Sequence, residues 1–177
     1  RELGEGCTAL LEHLAREGTF GRDQLWTVLR RMLEAGANTS VRRVAELLEL
    51  PGGGVEAALQ RPAKVIGTPV APEVVVIAAA TLARQDPEQM ADRSAELAKL
   101  PRADRDFVAA LTAAQSMRRL APRALTLARA NLAGDVSDDS IDWLARAALR
   151  DSDWATLSAA IARMSPQGRE EPAWVYW

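Results

Sequence analysis

Histidine and cysteine each occur once in the 177 residues, as His13 and Cys7, and that scarcity closes off several kinds of chemistry. A single cysteine leaves no internal disulfide and no multi-cysteine metal site. A single histidine, flanked by Glu12 and Leu14 with no Cys or Asp cluster in helical register, leaves no local triad or metal set, so His13 reads as a surface or boundary residue. An excess of one charge is missing too. Twenty-two basic residues against 24 acidic ones give a formal net charge of −2, which sets up no long-range field for an anionic polymer and argues against nucleic acid as a partner. Only Lys64 and Lys99 are lysines; the other basic residues are Arg, whose planar fork suits carboxylates and phosphates, although genomic composition explains the bias equally well. Nor is there a long apolar run. V-V-V-I-A-A-A-T-L-A, starting at Val74, is about half a membrane span and follows Pro72 and Glu73, so it reads as a buried helix and no membrane span is expected.

What is present points to helix. Hydrophobic residues make up 48% and charged residues 26%, the balance of an ordinary globular protein with enough chain to bury a core. About a fifth of the residues are Ala, the best helix former, and Leu and Arg are abundant. An all-α fold with little or no sheet is expected. The chain starts at Arg1 without Met and stops at Trp177 within what reads as a new helix, so it reads as a piece of a longer chain, and a removed signal peptide is compatible with it.

Leu3, Cys7, Leu10 and Leu14 repeat at helical spacing and place Cys7 in an apolar stripe, where it acts as a small hydrophobe. Leu25, Val28, Leu29 and Met32 mark a second helix, with Gly36 as its left-handed C′ residue. Asn38, Thr39 and Ser40 offer N-caps for a third, carrying Val41, Val44, Leu47 and Leu48. P-G-G-G from Pro51 reads as a hinge before a short helix from Val55 to Gln60, and it is no phosphate loop, since no G-K-[ST] follows. P-A-K-V-I-G-T-P-V-A-P then reads as an extended connector. The expected organisation is therefore an N-terminal helical segment over 1–61, a Pro-rich connector over 62–71 and helical-hairpin repeats over 72–177.

Beyond the connector, pairs are expected at 72–84 with 87–99, 102–119 with 121–132, and 138–150 with 152–164, each unit about 30 to 35 residues long. Hairpins of this size bury their apolar faces by stacking into an α-superhelix, or solenoid. The tetratricopeptide spacing is absent. In the last hairpin Ile141, Leu144 and Ala148 line one helix, and Trp154, Leu157, Ile161 and Met164 its partner, so Trp154 is expected in the core.

The sequence assigns no catalytic, cofactor or metal residue. D-V-S-D-D-S-I-D from Asp135 lacks the Gly and Glu of a calcium loop and instead opens a helix at its positive end. Asp104 with Asp106, and Glu170 with Glu171, are imaginable glycosidase carboxylates, but nothing places them across a cleft and solvated faces are the default. Of the tryptophans, Trp154 and Trp26 read as packing residues, Trp143 and Trp174 stay open for sugar stacking, and Trp174, Val175, Tyr176 and Trp177 are expected to leave apolar surface that favours self-association.

D-W-L-A-R-A-A-L-R-D-S-D-W-A-T-L-S-A-A-I-A-R-M-S, followed by E-E-P-A-W-V-Y-W, resembles the superhelical domain of soluble lytic murein transglycosylases: a W-x-x-R-A-A-L-R helix, an acidic D-W step and a P-x-W-x-Y-W helix start. Upstream, A-R-Q-D-P-E-Q-M-A and L-P-R-A-D-R are similar to that family's preceding repeats, so the resemblance covers roughly 72–177, and 1–60 more weakly. It implies a periplasmic protein acting on peptidoglycan glycan strands, with a separate lysozyme-like domain at its C-terminal side. There one Glu of a Glu-Ser motif serves as acid and then base, and the sugar's own C6 hydroxyl cleaves the MurNAc to GlcNAc bond to leave a 1,6-anhydro end. Glu-Ser and G-L-M-Q are both absent here, so no catalytic residue carries over and no glycan-contacting residue is assigned. A non-enzymatic α-solenoid that binds a protein partner is the alternative.

Overall fold

A computed structural model describes residues 2–131 and 134–175. The expected ends of the second hairpin at 132 and of the aromatic tail, Tyr176 and Trp177, lie outside the described residues. Among those described there is helix and no strand, and the chain is all-α. It divides into two compact units between Leu82 and Ala83.

The first unit contains α1 (Glu5–Arg16), α2 (Arg22–Ala35), α3 (Asn38–Leu47), α4 (Gly52–Gln60), α5 (Pro62–Val65) and most of α6 (Pro72–Gln85). Helix α3 is its centre, flanked by α1, α2 and α4. Leu25, Leu29, Val41, Val44 and Leu48 are buried as their spacing predicts. The apolar run of α6 is buried almost throughout, from Val74 to Ala83. No helix among the described residues is long and apolar enough to cross a membrane.

Four expectations for this unit need correction. Cys7 is exposed and Leu10 is 57% exposed, while Leu11 is the buried residue of α1. The reason is that α1 packs mainly on α3, and the face turned to it carries Leu11 and Glu12, whose carboxylate meets Arg43 Nε at 2.6 Å. Second, α3 is not capped by Asn38, Thr39 or Ser40. Glu2 reaches back from the N-terminal stretch and accepts from the backbone N–H groups of Thr39 (3.1 Å) and Ser40 (2.8 Å) and from the Ser40 hydroxyl (2.5 Å). That hydroxyl, with the two N–H groups, holds the Glu2 carboxyl below its ordinary range. Third, the three glycines are no hinge: α4 starts at Gly52 with Pro51 as its N-cap residue, and Gly52 to Gly54 form the first turn. Gly54 lies beside α6, and a Cβ there would make ordinary contact with Val74 at 3.4 Å. Fourth, the stretch 62–71 is not extended. Pro62 starts α5 at the position where its missing N–H costs nothing, and turns follow, with Thr68 N–H bonded to the Val65 carbonyl at 3.1 Å.

The second unit carries α7 (Pro87–Asp92) with a 3₁₀ turn (Ser94–Leu97), α8 (Arg102–Arg118), α9 (Ala124–Ala130), α10 (Asp138–Arg150), α11 (Trp154–Arg163), α12 (Pro166–Arg169) and α13 (Pro172–Val175). Helix α8 pairs with α9 and α10 with α11, and α10 also packs on α8 and α9, so one hairpin stacks on the next. The residues between them are small. Ala113, Ala114, Ala124, Ala128 and Ala147 surround Met117 and Leu144 in one buried cluster, which lets three helices approach closely. Where the chain leaves α9, Gly134 lies directly against α8, and a Cβ there would come within 2.5 Å of Ala110 Cβ.

Helices α2, α3, α8 and α10 end alike. Each is closed by a left-handed residue whose N–H bonds three residues back, and the next N–H bonds five back, as in Ala121 to the Ser116 carbonyl at 2.9 Å. Gly36 fills that place after α2, as its sequence position predicts, but Glu49, Leu120 and Ser152 hold it with φ of 57°, 53° and 56°. Trp154 is a further correction. It is 56% exposed, because the stripe of α11 covered by α10 runs through Leu157, Ala160 and Met164, whereas Trp154 opens the helix and Ile161 is half-buried.

Candidate functional site

Helix α10 carries two patterns at once. Ile141, Leu144, Ala145 and Ala148 face the core, and Asp138, Asp142 and Arg146 follow each other at intervals of four on a more open stripe. Trp143 stands beside that stripe, its ring packed on the alanine cluster. The guanidinium groups of Arg118 and Arg146 lie over its ring, 5.5 and 5.6 Å from the centroid.

Two short helices fold back onto this stripe. Asp138 accepts from the Ser165 N–H at 2.9 Å and from the Ser165 hydroxyl, and Ser165 caps α12 by accepting from Gly168 N–H at 3.1 Å. Gly168 is needed there: a Cβ would fall 2.5 Å from Asp138 Oδ2. Trp174 of α13 is 5% exposed; its indole N–H donates to Asp142 Oδ1 at 2.8 Å, and the Arg146 guanidinium lies 5.6 Å from its ring centroid. Asp142 in turn holds Arg146 Nε at 2.7 Å. Arg118, Trp143, Arg146 and Trp174 therefore alternate cation and ring from α8 to α13, with Asp139 paired to Arg118 and Asp142 to Arg146. A groove of about 460 Å³ opens along this clasp, lined by Asp138, Asp139, Asp142, Arg146, Glu171 and Trp174 among others.

The two tryptophans left open by the sequence thus meet through Arg146. Trp174 is inserted against α10, not left as free apolar surface as expected, while its neighbour Val175 is 71% exposed. Asp138 and Asp139 do occupy the first turn of α10, yet the N-cap Ser137 makes no side-chain cap bond, and Asp138 serves α12 instead. Sequence reasoning missed Arg146 and Asp142 as the links; their signal was the Asp, Asp, Arg spacing of four next to Trp143. The other imagined carboxylates also lie in the second unit. Asp104 is buried on α8, Asp106 meets Arg102 at 3.5 Å on the surface of the same helix, and Glu170 and Glu171 are exposed between α12 and α13. His13 is exposed, and Trp26 is half-buried with Arg30 over its ring at 5.9 Å. The Asp138 and Asp142 carboxylates of the clasp are engaged by Ser165, Arg146 and Trp174.

No protein-family model matches the chain. No curated protein matches it either. Among solved structures it is similar to an inactive mutant of the lytic transglycosylase Slt from Pseudomonas aeruginosa, at 23% identity and a TM-score of 0.60 over 100% of this chain. The chain spans 31% of the length of that structure. The likeness is one of fold.

Proposed function

We propose that this chain is a scaffold and substrate-positioning segment of a soluble lytic transglycosylase, a periplasmic enzyme of cell-wall turnover whose catalytic domain lies in sequence outside these residues. One observation carries the reading. The motifs that resemble the family are the same residues that build the clasp: W-x-x-R supplies Trp143 and Arg146, and P-x-W supplies Trp174. The structural likeness of this whole chain to part of Slt supports it at the level of fold.

In this reading the hairpins continue as an α-superhelix that holds or restricts a peptidoglycan strand. The clasp fixes α13, and so fixes the direction in which the chain continues towards the lysozyme-like domain. Chemistry belongs to that domain, where a positioned carboxyl of raised pKa must protonate the leaving oxygen. Holding a strand in register contributes by orientation and not by bond breaking.

The test uses purified sacculi and the full-length parent protein. The parent is expected to release muropeptides with 1,6-anhydro ends, each one water lighter by mass than its hydrolytic counterpart, and the 177-residue chain alone is expected to release none. Cleavage by the chain alone would overturn the scaffold role. Hydrolytic ends from a folded parent would overturn the transglycosylase reading, and no products at all, or flanking sequence made only of further hairpins, would favour the non-enzymatic solenoid.

A further inference from the structure

A second concavity in unit 2 lies away from the clasp, between α7 with its 3₁₀ turn, α8 and α9. It measures about 180 Å³. Its apolar lining includes Met90, Leu97, Val108 and Leu127; Ser94, Arg105 and Asn131 add polar groups, as does Thr112, whose hydroxyl is spent on the Val108 carbonyl at 2.7 Å. A cavity of about 150 Å³ is enough to hold benzene, so the space suits an apolar group of six or so heavy atoms.

The one charged residue of the lining is Arg105, and its fork is already oriented. Nη1 donates to the carbonyls of Ala98 (2.8 Å) and Leu100 (3.2 Å), which anchors the guanidinium against the loop before α8. Among the described residues no partner takes up its Nε and Nη2, and no carboxylate lines the cleft. Asn131 is fixed too, donating from Nδ2 to the Leu127 carbonyl at 2.7 Å. An apolar recess with a few convergent polar groups is the usual form of a small-ligand site, and a half-committed Arg fork selects planar anions.

We infer that this cleft binds a small amphiphilic carboxylate, its apolar part seated on Met90, Leu97, Val108 and Leu127 and its carboxylate facing Arg105. The inference does not depend on the transglycosylase reading. A free short-chain acid and the C-terminal residue of a peptide share this chemistry.

The experiment is an NMR titration of the 177-residue chain with 4-methylpentanoate, 4-methylpentanamide and the tripeptide Ala-Ala-Leu in free-acid form. Saturable shifts are expected at Ser94, Ala109 and the Asn131 side-chain amide with a dissociation constant in the millimolar range or tighter, at least tenfold weaker for the amide. Binding by the acid alone identifies a metabolite site, and binding by the peptide as well identifies a peptide C-terminus. Arg105→Gln should remove the preference for acid over amide, and Arg105→Lys should weaken it less. Because Arg105 also anchors the loop, Ala109→Leu is the second variant: it fills the recess with Arg105 in place and should abolish binding while far-UV circular dichroism stays unchanged. Equal affinity for acid and amide, binding that survives Ala109→Leu, or no saturable shift up to about 10 mM would each overturn the assignment.

Discussion

Replacing Gly134 by Ala tests the packing of the second unit at its tightest point. The added Cβ would sit 2.5 Å from Ala110 Cβ, 2.9 Å from the Asp106 carbonyl carbon and closer still to the Asp106 oxygen. Comfortable carbon contacts lie near 3.5–4.0 Å, so the loop must retreat by about 1 Å or α8 must bend. Neither partner is the free end of a flexible side chain. Overpacking of this kind costs about 1–3 kcal/mol. A retreat also pulls the Gly134 carbonyl away from Arg163 Nη2, now 2.7 Å away, and a hydrogen bond from a charged donor contributes about 1.5–3 kcal/mol. The expected loss is about 2.5–6 kcal/mol, a large share of the roughly 5–15 kcal/mol that holds a domain folded. For a unit of this size that lowers the melting temperature by about 8 °C or more. Thermal and urea unfolding followed by circular dichroism measure it. Gly53→Ala is the control: nothing lies within 4 Å of its Cβ position in the first turn of α4, and helix propensity favours Ala by up to about 1 kcal/mol. A Gly134→Ala protein that melts within about 2 °C of its parent would refute the close approach of this loop to α8.

Three further outcomes follow from the second unit. Trp154→Ala should cost about 1 kcal/mol or less, because the ring is mostly exposed, whereas Leu157→Ala should cost about 2–4 kcal/mol; the reverse order in urea unfolding would restore Trp154 to the core. Leu120→Gly should stabilise by about 0.5–1 kcal/mol, since a left-handed Leu costs about 1–2 kcal/mol, its side chain is 67% exposed, and the entropy lost by Gly offsets only part of the gain; a lower melting temperature would contradict this. Asp153 caps α11, accepting from Thr156 N–H at 3.2 Å and pairing with Arg129 Nε at 2.6 Å, and Thr156 with Arg129 holds its carboxyl down at about 2. A depressed carboxyl stabilises the fold above its unfolded value of about 3.9, and the contribution is lost as pH falls from there through about 2. Carbon-detected NMR should find a titration midpoint near 2 that rises in Arg129→Gln; a midpoint near 4 in the parent would remove the cap.

Local chemistry settles where most of the helices are, and that much is legible in the chain alone, although α5 and the first turn of α4 fall where a connector and a hinge are expected. Proline at the first position of α7 and α13, left-handed Gly36 after α2, and the core stripe Ile141, Leu144 and Ala148 depend on neighbours within a few residues, so sequence spacing reports them directly. The buried α6 is legible for the same reason, its apolar residues covering every face. Which of two overlapping stripes is covered depends instead on the partner helix, and here the sequence was silent. Cys7 and Trp154 each fit an apolar period, yet α1 turns Leu11 to α3, and α11 turns Leu157, Ala160 and Met164 to α10. Long-range polar pairing was equally hidden: Glu2 caps a helix 37 residues away, and Asp142 meets Trp174 across 32 residues, contacts that exist only once hairpins and short helices have stacked. Trp143 and Trp174 were visible as open questions, while Arg146, the cation that joins them, acquires that role only from the return of α13 onto α10.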